Sequence, residues 1–221
     1  MPEKALVAKP ASISFEQAAA VPTSALIAYQ AVHSQGRVGP GQRVLVNGAA
    51  GGVGLYAVQL ARVYGARVTG VDHGSKLDLV RDVGADRVVD YTLQDFTRVG
   101  GRYDVIVDIP GNRAISDIRR ALRPTGTYVL VGHDRFGDSG RWVGDSLGRF
   151  ARLAVTSPFV TQQLSPPTAK PTEHPLSQIA DLITTGTVTP VVDRAFPLAE
   201  TVAAIHYLES GQARGKVVIT V

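Results

Sequence analysis

Short runs of β-branched residues alternate along the chain with longer segments whose apolar side chains recur at helical spacing. Residues 43–47 (RVLVN) form the first short apolar run. In residues 52–64, Val53, Ala57, Leu60 and Ala61 fall three and four apart, which places them on one face of a helix. Residues 67–71 (RVTGV) return to the strand pattern, and 75–83 to the helical one, stopped by Gly84. Strands are then predicted over 86–90 (DRVVD), 103–108 (YDVIVD) and 126–132 (GTYVLVG), with a helix over 112–122 and a candidate sixth strand at 153–156. These runs carry no polar alternation, so they are expected to be buried on both faces. Helical crossovers between them imply right-handed βαβ units in a parallel sheet. The predicted fold class is therefore α/β, an open, doubly wound parallel sheet with its ligand beyond the carboxyl ends of the strands.

The flanks read differently. Residues 1–22 form a lead-in broken by prolines, followed by a helix over 23–34 and a Gly-Pro-Gly turn at 39–41. Residues 161–175 (TQQLSPPTAKPTEHP) carry four prolines and read as a linker or loop. Beyond them the pattern gives a helix (176–185), a strand (189–196), a helix (199–210) and a final strand (216–221). Two strands cannot bury a core of their own, so this tail must pack on the first unit or on another partner. The chain thus divides into 1–22, 23–160 and 161–221.

Composition narrows the function classes. The chain has 221 residues and no cysteine, which excludes a disulfide scaffold, a thiolate nucleophile and a Cys-ligated zinc within it. The opening MPEKALVAKP lacks the apolar core of a signal peptide, and no apolar run is long enough to cross a bilayer. A cytoplasmic location with no membrane partner is expected. The net charge of +4 is scattered, with no basic block interleaved with aromatics. A nucleic-acid partner is therefore not expected, whereas an anionic small ligand suits the mild positive bias.

The sharpest local chemistry lies at NGAAGGVG (47–54), between a predicted strand and a predicted helix. In register with G-x-G-x-x-G, Ala49 takes the first position, Gly51 the second and Gly54 the third. Gly51, without a Cβ, lets a pyrophosphate approach the backbone, and Gly54 lets the helix pack closely on the sheet. Free N–H groups near Gly52 and Val53 suit an anion at the helix N-terminus. Asp72, closing the second strand, stands about 20 residues on, where an acid binds the ribose hydroxyls of NAD. Ser75 and Lys76 follow it and suit the 2′-phosphate of NADP, which a carboxylate repels. These residues leave both cofactors open. The five histidines, His33, His73, His133, His174 and His206, are dispersed. His133, beside Asp134 at the end of the fifth strand, is the best placed of them. There is no Ser/His/Asp order and no H-E-x-x-H, so neither a catalytic residue nor a metal site is assigned. Residues 134–142 (DRFGDSGRW) are a candidate lid.

Several segments together resemble the medium-chain dehydrogenase/reductase superfamily, in particular its zinc-independent, quinone-oxidoreductase-like branch. They are AAAVPTSALIAYQAV (18–32), GQRVLVNGAAGGVGLYAVQLARVYGARVTGV (41–71), GADRVVDY (84–91), YDVIVDIPGN (103–112), RRALRPTGTYVLVG (119–132) and ARGKVVITV (213–221). The resemblance implies a Rossmann domain over 23–160. Residues 1–22 and 161–221 become remnants of a second, GroES-like catalytic domain, most of which is missing. It implies an NADP(H)-dependent oxidoreductase that transfers hydride to a small-molecule quinone or α,β-unsaturated carbonyl, this chain being mainly its cofactor-binding part. In similar proteins the residues at Lys76 and Tyr91 flank the 2′-phosphate, which favours NADP; Asp72 keeps NAD open. Pro110, Gly111 and Asn112, with Val131, Gly132 and His133, match positions near the nicotinamide and its ribose. A threonine common near that ribose is Ile27 here. The expected cofactor-binding set is Ala50, Gly51, Gly52, Val53, Asp72, Ser75, Lys76, Tyr91, Gly111, Asn112, Gly132 and His133. The isolated chain is expected to bind cofactor with little turnover, and relatives suggest a homodimer through the edge of the sheet. Two other readings stand beside this one: a non-catalytic nucleotide-binding or interaction module, and a fragment of a zinc-type alcohol dehydrogenase.

Overall fold

The computed structural model describes residues 6–132, 153, 155–165 and 175–221. Six strands form one sheet: β1 (Arg43–Asn47), β2 (Arg67–Asp72), β3 (Arg87–Asp90), β4 (Tyr103–Asp108), β5 (Leu122–Leu130) and β6 (Gln163–Ser165). Their order is β3-β2-β1-β4-β5-β6 and every pairing is parallel. The winding direction reverses between β1 and β4, and that reversal opens the crevice in which such sheets bind ligands.

β1, β2, β4 and the second half of β5 are buried on both faces, as their unalternated runs require; β3, at the edge, buries only Val89 fully, so the expectation of two-sided burial is corrected there. Val44, Val46, Val105, Val107 and Val129 enter one cluster. There they meet Ala25 and Ala28 of helix α2 (Pro22–Tyr29) and Ala57 and Leu60 of helix α3 (Gly52–Val63). Leu45, Ile106, Tyr128 and Leu130, which alternate with them, enter a second cluster with Ile118 and Ala121 of α5 (Ile115–Ala121). Two short helices complete this part: α1 (Phe15–Ala19), which precedes α2 and opens with a capping box between Ser14 and Gln17, and α4 (Leu77–Asp82), which stands between β2 and β3 in the chain.

Three boundary expectations are corrected. Residues 153, 155 and 156 are helical, not a sixth strand. Leu153 is buried while Val155, two residues on, is 68% exposed, whereas a strand would turn both to the same face. The sixth strand is Gln163–Ser165, inside the stretch expected to be a loop, so the sheet extends past residue 160. Leu164 is buried against the second cluster. The helix expected over 112–122 is only α5, because β5 begins directly at Leu122.

The tail forms helix α6 (Pro175–Thr184), the parallel pair β7 (Val192–Pro197) and β8 (Lys216–Thr220), and helix α7 (Thr201–Glu209) between them. It docks on the first unit. Gln59 of α3 donates to the Thr189 carbonyl at 3.1 Å and accepts from the Thr189 N–H at 2.7 Å. Leu198, Val202, Ile205 and Leu208 remain exposed. Among the described residues no helix is long and apolar enough to cross a membrane.

One core residue of α3 carries an unmet polar group. The Tyr56 hydroxyl is buried with no hydrogen-bond partner among the described residues, and burial pushes its phenol well above the ordinary value. Removing an unsatisfied hydroxyl removes a desolvation penalty and little else. Tyr56→Phe is therefore expected to leave stability unchanged or raise it by about 1 kcal/mol, read by urea denaturation; a loss of that size would mean that the hydroxyl has a partner.

Candidate cofactor site

At the carboxyl end of β1 the chain turns through Gly48, whose φ is +81°. The N–H groups of Gly48 and Ala49 both donate to the Val71 carbonyl at 3.0 Å, tying the turn to β2. The Ala50 N–H donates to Asp72 Oδ2 at 2.8 Å, and the His73 N–H to Asp72 Oδ1 at 2.8 Å. Asp72, expected at a ribose, thus also braces the turn, and Ala50, fully buried, shapes the site with its N–H already taken.

Helix α3 starts from this turn without a side-chain cap. Its first bond to the turn is from the Leu55 N–H to the Gly51 carbonyl, and among the described residues the N–H groups of Gly52 and Val53 have no backbone acceptor. A twelve-residue helix therefore presents free donors and the positive end of its dipole. The packing behind and in front of the turn differs. A Cβ on Gly54 would lie 2.0 Å from the Gly48 carbonyl oxygen, so close approach demands glycine there. A Cβ on Gly51 would meet only that same oxygen, at 3.5 Å, an ordinary contact. Protein packing does not require Gly51; it leaves an open face over the free donors. The cradle fits a pyrophosphate.

The rim past β2 carries Ser75, Lys76 and Tyr91. His73 accepts from the Ser75 N–H at 3.2 Å and meets the Tyr91 ring edge-on at 6.1 Å. Lys76 is drawn elsewhere: its ammonium donates to the carbonyls of Gly211 and Ala213, the latter at 2.9 Å. Asp90, closing β3, sits against Gly74, and hydrogen bonds from the Thr92 side chain and backbone hold its carboxyl below the usual range. The rim thus holds two carboxylates and one lysine already bonded to carbonyl oxygens.

Across the crevice, Asp108 closes β4 and is completely buried. Its Oδ1 accepts from Asn47 Nδ2 at 2.9 Å and from the Gly111 N–H at 3.0 Å, and its Oδ2 from the Tyr128 hydroxyl at 2.8 Å. One carboxylate thereby joins β1, β5 and the loop after β4. That loop also reaches the glycine turn and β5: a Cβ on Gly48 would lie 3.1 Å from Pro110 Cδ, and one on Gly132 2.8 Å from the Ile109 carbonyl oxygen. The structure therefore gathers Ala50, Gly51, Gly52, Val53 and Asp72 at one turn. Gly111 and Gly132 stand opposite, and Ser75, Lys76 and Tyr91 lie along the rim. Asn112 is exposed at the loop. His133 and the candidate lid 134–142 lie outside the described residues. The motif reading missed Asn47, Asp108 and Tyr128; their signal was a polar side chain inside or closing an otherwise apolar run. Among the described residues no group of three or more His, Cys, Asp or Glu side chains could hold a metal ion.

An open glycine turn at the switch point of a doubly wound parallel sheet defines a dinucleotide-binding domain. The zinc-binding dehydrogenase family profile matches residues 83–219. The mitochondrial NAD(P)H oxidoreductase RTN4IP1 of Mus musculus is 33% identical over 234 residues, covering 96% of this chain and 57% of that protein. The 2-methylene-furan-3-one reductase of Solanum lycopersicum is 31% identical, covering 98% of this chain and 50% of its own length. The quinone oxidoreductase structure from Coxiella burnetii superposes with a TM-score of 0.77 at 27% identity, over 97% of this chain and 63% of that one. The chain belongs to the zinc-binding dehydrogenase family within the medium-chain dehydrogenase/reductase superfamily, on its quinone-oxidoreductase-like side. It spans about half the length of the curated relatives it matches. The relatives include proteins named as an NADPH-dependent alkenal/one oxidoreductase of Arabidopsis thaliana and an NAD-dependent alcohol dehydrogenase.

Proposed function

We propose that this chain is the cofactor-binding part of an NADP(H)-dependent reductase acting on a quinone or an α,β-unsaturated carbonyl. The observation that carries the reading is the uncapped N-terminus of α3, open in front at Gly51 and set at the switch point of the sheet. The substrate class is supported by relatives named for a methylene-furanone and a quinone. The cofactor, when bound, supplies the hydride. The turn's N–H groups hold the pyrophosphate, Asp72 keeps the turn in place, and the Gly111 and Gly132 segments form the wall beside it. In this reading 1–22 and the tail beyond β6 belong with the substrate-binding part.

A second reading, NAD(H) as the preferred cofactor, is favoured by the rim. Asp72 and Asp90 oppose a 2′-phosphate, and Lys76 must leave two carbonyl oxygens to meet one. Calorimetric titration of NADPH and NADH against the wild-type chain and Lys76→Gln separates the two. NADPH is expected to bind more tightly, and Lys76→Gln to weaken NADPH roughly tenfold with NADH unchanged. NADH binding as tight as NADPH would overturn the NADP(H) preference, and failure to bind either would overturn the cofactor assignment itself.

A further inference from the structure

The end of the sheet away from the glycine turn carries a chemistry of its own. Arg87 opens β3, Arg67 opens β2 and Arg43 opens β1, and Arg102 immediately precedes β4. These four strands are neighbours in that order. At about 4.8 Å per strand they set the four arginines along a front of roughly 14 Å. Arg43 and Arg67 are direct register partners, so two like charges leave the sheet side by side, an arrangement that costs stability.

Five other arginines are matched to acids. Arg62 pairs with Asp86, Arg81 with Asp78, Arg98 with Asp95, Arg120 with Asp117 and Arg123 with Asp104. The guanidinium groups of Arg67, Arg87 and Arg102 have no hydrogen bond or ion pair among the described residues, and all three residues are exposed. The carboxylates that flank these strand starts are already engaged. Asp86 accepts from Arg62 at 2.8 Å and from the Val68 N–H at 2.7 Å. Asp104 accepts from Arg123 at 2.8 Å and from the Arg43 N–H at 2.8 Å. Arg43 is held in place: its guanidinium donates to the Gly100 carbonyl and lies 5.4 Å from the centre of the Tyr103 ring. Its Nη1 is 3.2 Å from the Cβ position of Gly101, and Arg87 Nη1 is 2.8 Å from that of Gly100. Cations from two strands that β2 separates therefore meet at one double glycine. Tyr103, the aromatic residue among them, is buried and offers no face to a stacked base.

We infer that this edge is a docking surface for an Asp- or Glu-rich segment of a partner protein. Guanidinium forks match carboxylates in bidentate pairs, and an extended acidic segment meets several of them along one front. The surface lies at the amino ends of the strands, opposite the glycine turn, so a partner seated there leaves the cofactor crevice open. The inference goes beyond the dinucleotide reading and does not depend on it.

Fluorescence anisotropy with a labelled poly-glutamate peptide, on the whole 221-residue chain at low salt, tests this. The peptide is expected to bind, and its affinity to fall as ionic strength rises towards about 0.15 M. The triple variant Arg67→Gln, Arg87→Gln, Arg102→Gln should weaken it about tenfold or more. That variant relieves the like-charge pair, so it should melt at the wild-type temperature or slightly above it, and its NADPH affinity should be unchanged. A second triple variant, Arg81→Gln, Arg120→Gln, Arg214→Gln, removes the same charge elsewhere and should bind the peptide nearly as wild type. No peptide binding at low salt, an unchanged affinity in the first variant, or an equal loss in the second would overturn the docking surface. A single-stranded oligonucleotide or inorganic polyphosphate that binds this edge more tightly than the peptide would overturn its assignment to an acidic protein segment.

Discussion

Gly54→Ala is expected to abolish dinucleotide binding and to lower the melting temperature by about 6 °C or more. The added Cβ would lie 2.0 Å from the Gly48 carbonyl oxygen and 2.7 Å from Ala49 C and Cα. All three are backbone atoms, so no rotamer change relieves the contact and the turn must move relative to α3. Forced overpacking of this kind costs about 1–3 kcal/mol or more, and in a chain of this size each kcal/mol lowers the melting temperature by roughly 2–4 °C. The displaced turn also carries the free donors out of register with a pyrophosphate. Gly51→Ala is the matched control. Its Cβ meets nothing closer than 3.5 Å, so the chain should melt as wild type, yet the methyl group covers the open face and cofactor affinity should still fall. A thermal melt and an NADPH titration on the two variants read both effects. A Gly54→Ala chain that melts and binds like wild type would show that α3 slides freely on the turn.

Asp108→Ala is expected to cost about 3–5 kcal/mol of stability. The carboxylate is completely buried and takes N–H or O–H bonds from Asn47, Gly111 and Tyr128. Truncation strands these donors in a site closed to water, and an unmet buried donor costs about 1–3 kcal/mol. Asp108→Asn retains the shape and one carbonyl acceptor, so its loss should be smaller, about 1–2 kcal/mol. Urea denaturation with an unchanged m-value is the check. A loss below 1 kcal/mol for Asp108→Ala would mean that the three donors find other partners. Because Gly111 lies in the loop facing the turn, the Ala variant should also weaken cofactor binding.

What could be read from residue order, and what could not, divides along the range of the interactions. β1 and β4 match their predicted spans because RVLVN and YDVIVD are buried on both faces and nothing polar interrupts their centres. β6 left no such trace: Gln163 and Ser165 flank a single buried leucine, and a three-residue edge strand is too short to show a period. Leu153 and Val155 resemble a strand in composition, and only burial of one without the other shows the helix. The turn at 48–54 was legible because its glycines act on their immediate neighbours. The partners of Asp72 and Lys76 were not. Asp72 reaches Ala50, 22 positions back, and Lys76 reaches Gly211, 135 positions on. A charged side chain near a phosphate motif is read as a ligand for that phosphate unless the distant carbonyls that compete for it are known. The same distance hid Lys216, whose stem lies beside Gly52 in the fold.

The strand order sets a schedule for synthesis on the ribosome. β1 is the hub of the sheet, flanked by β2 on one side and β4 on the other. Val44 pairs with Val68 within one crossover, but its other edge stays open until Val105 has emerged, on the order of 60 residues later. At translation speeds of about 5–20 residues per second that edge is bare for roughly 3–12 seconds. The bare segment is Val44-Leu45-Val46, an apolar stretch with two β-branched valines, of the kind that recruits foreign strands. A nascent chain stalled between β3 and β4 should therefore be the form most dependent on chaperone cover. Slow codons placed between residues 90 and 103 should lower soluble yield, whereas the same codons placed after β5 should not.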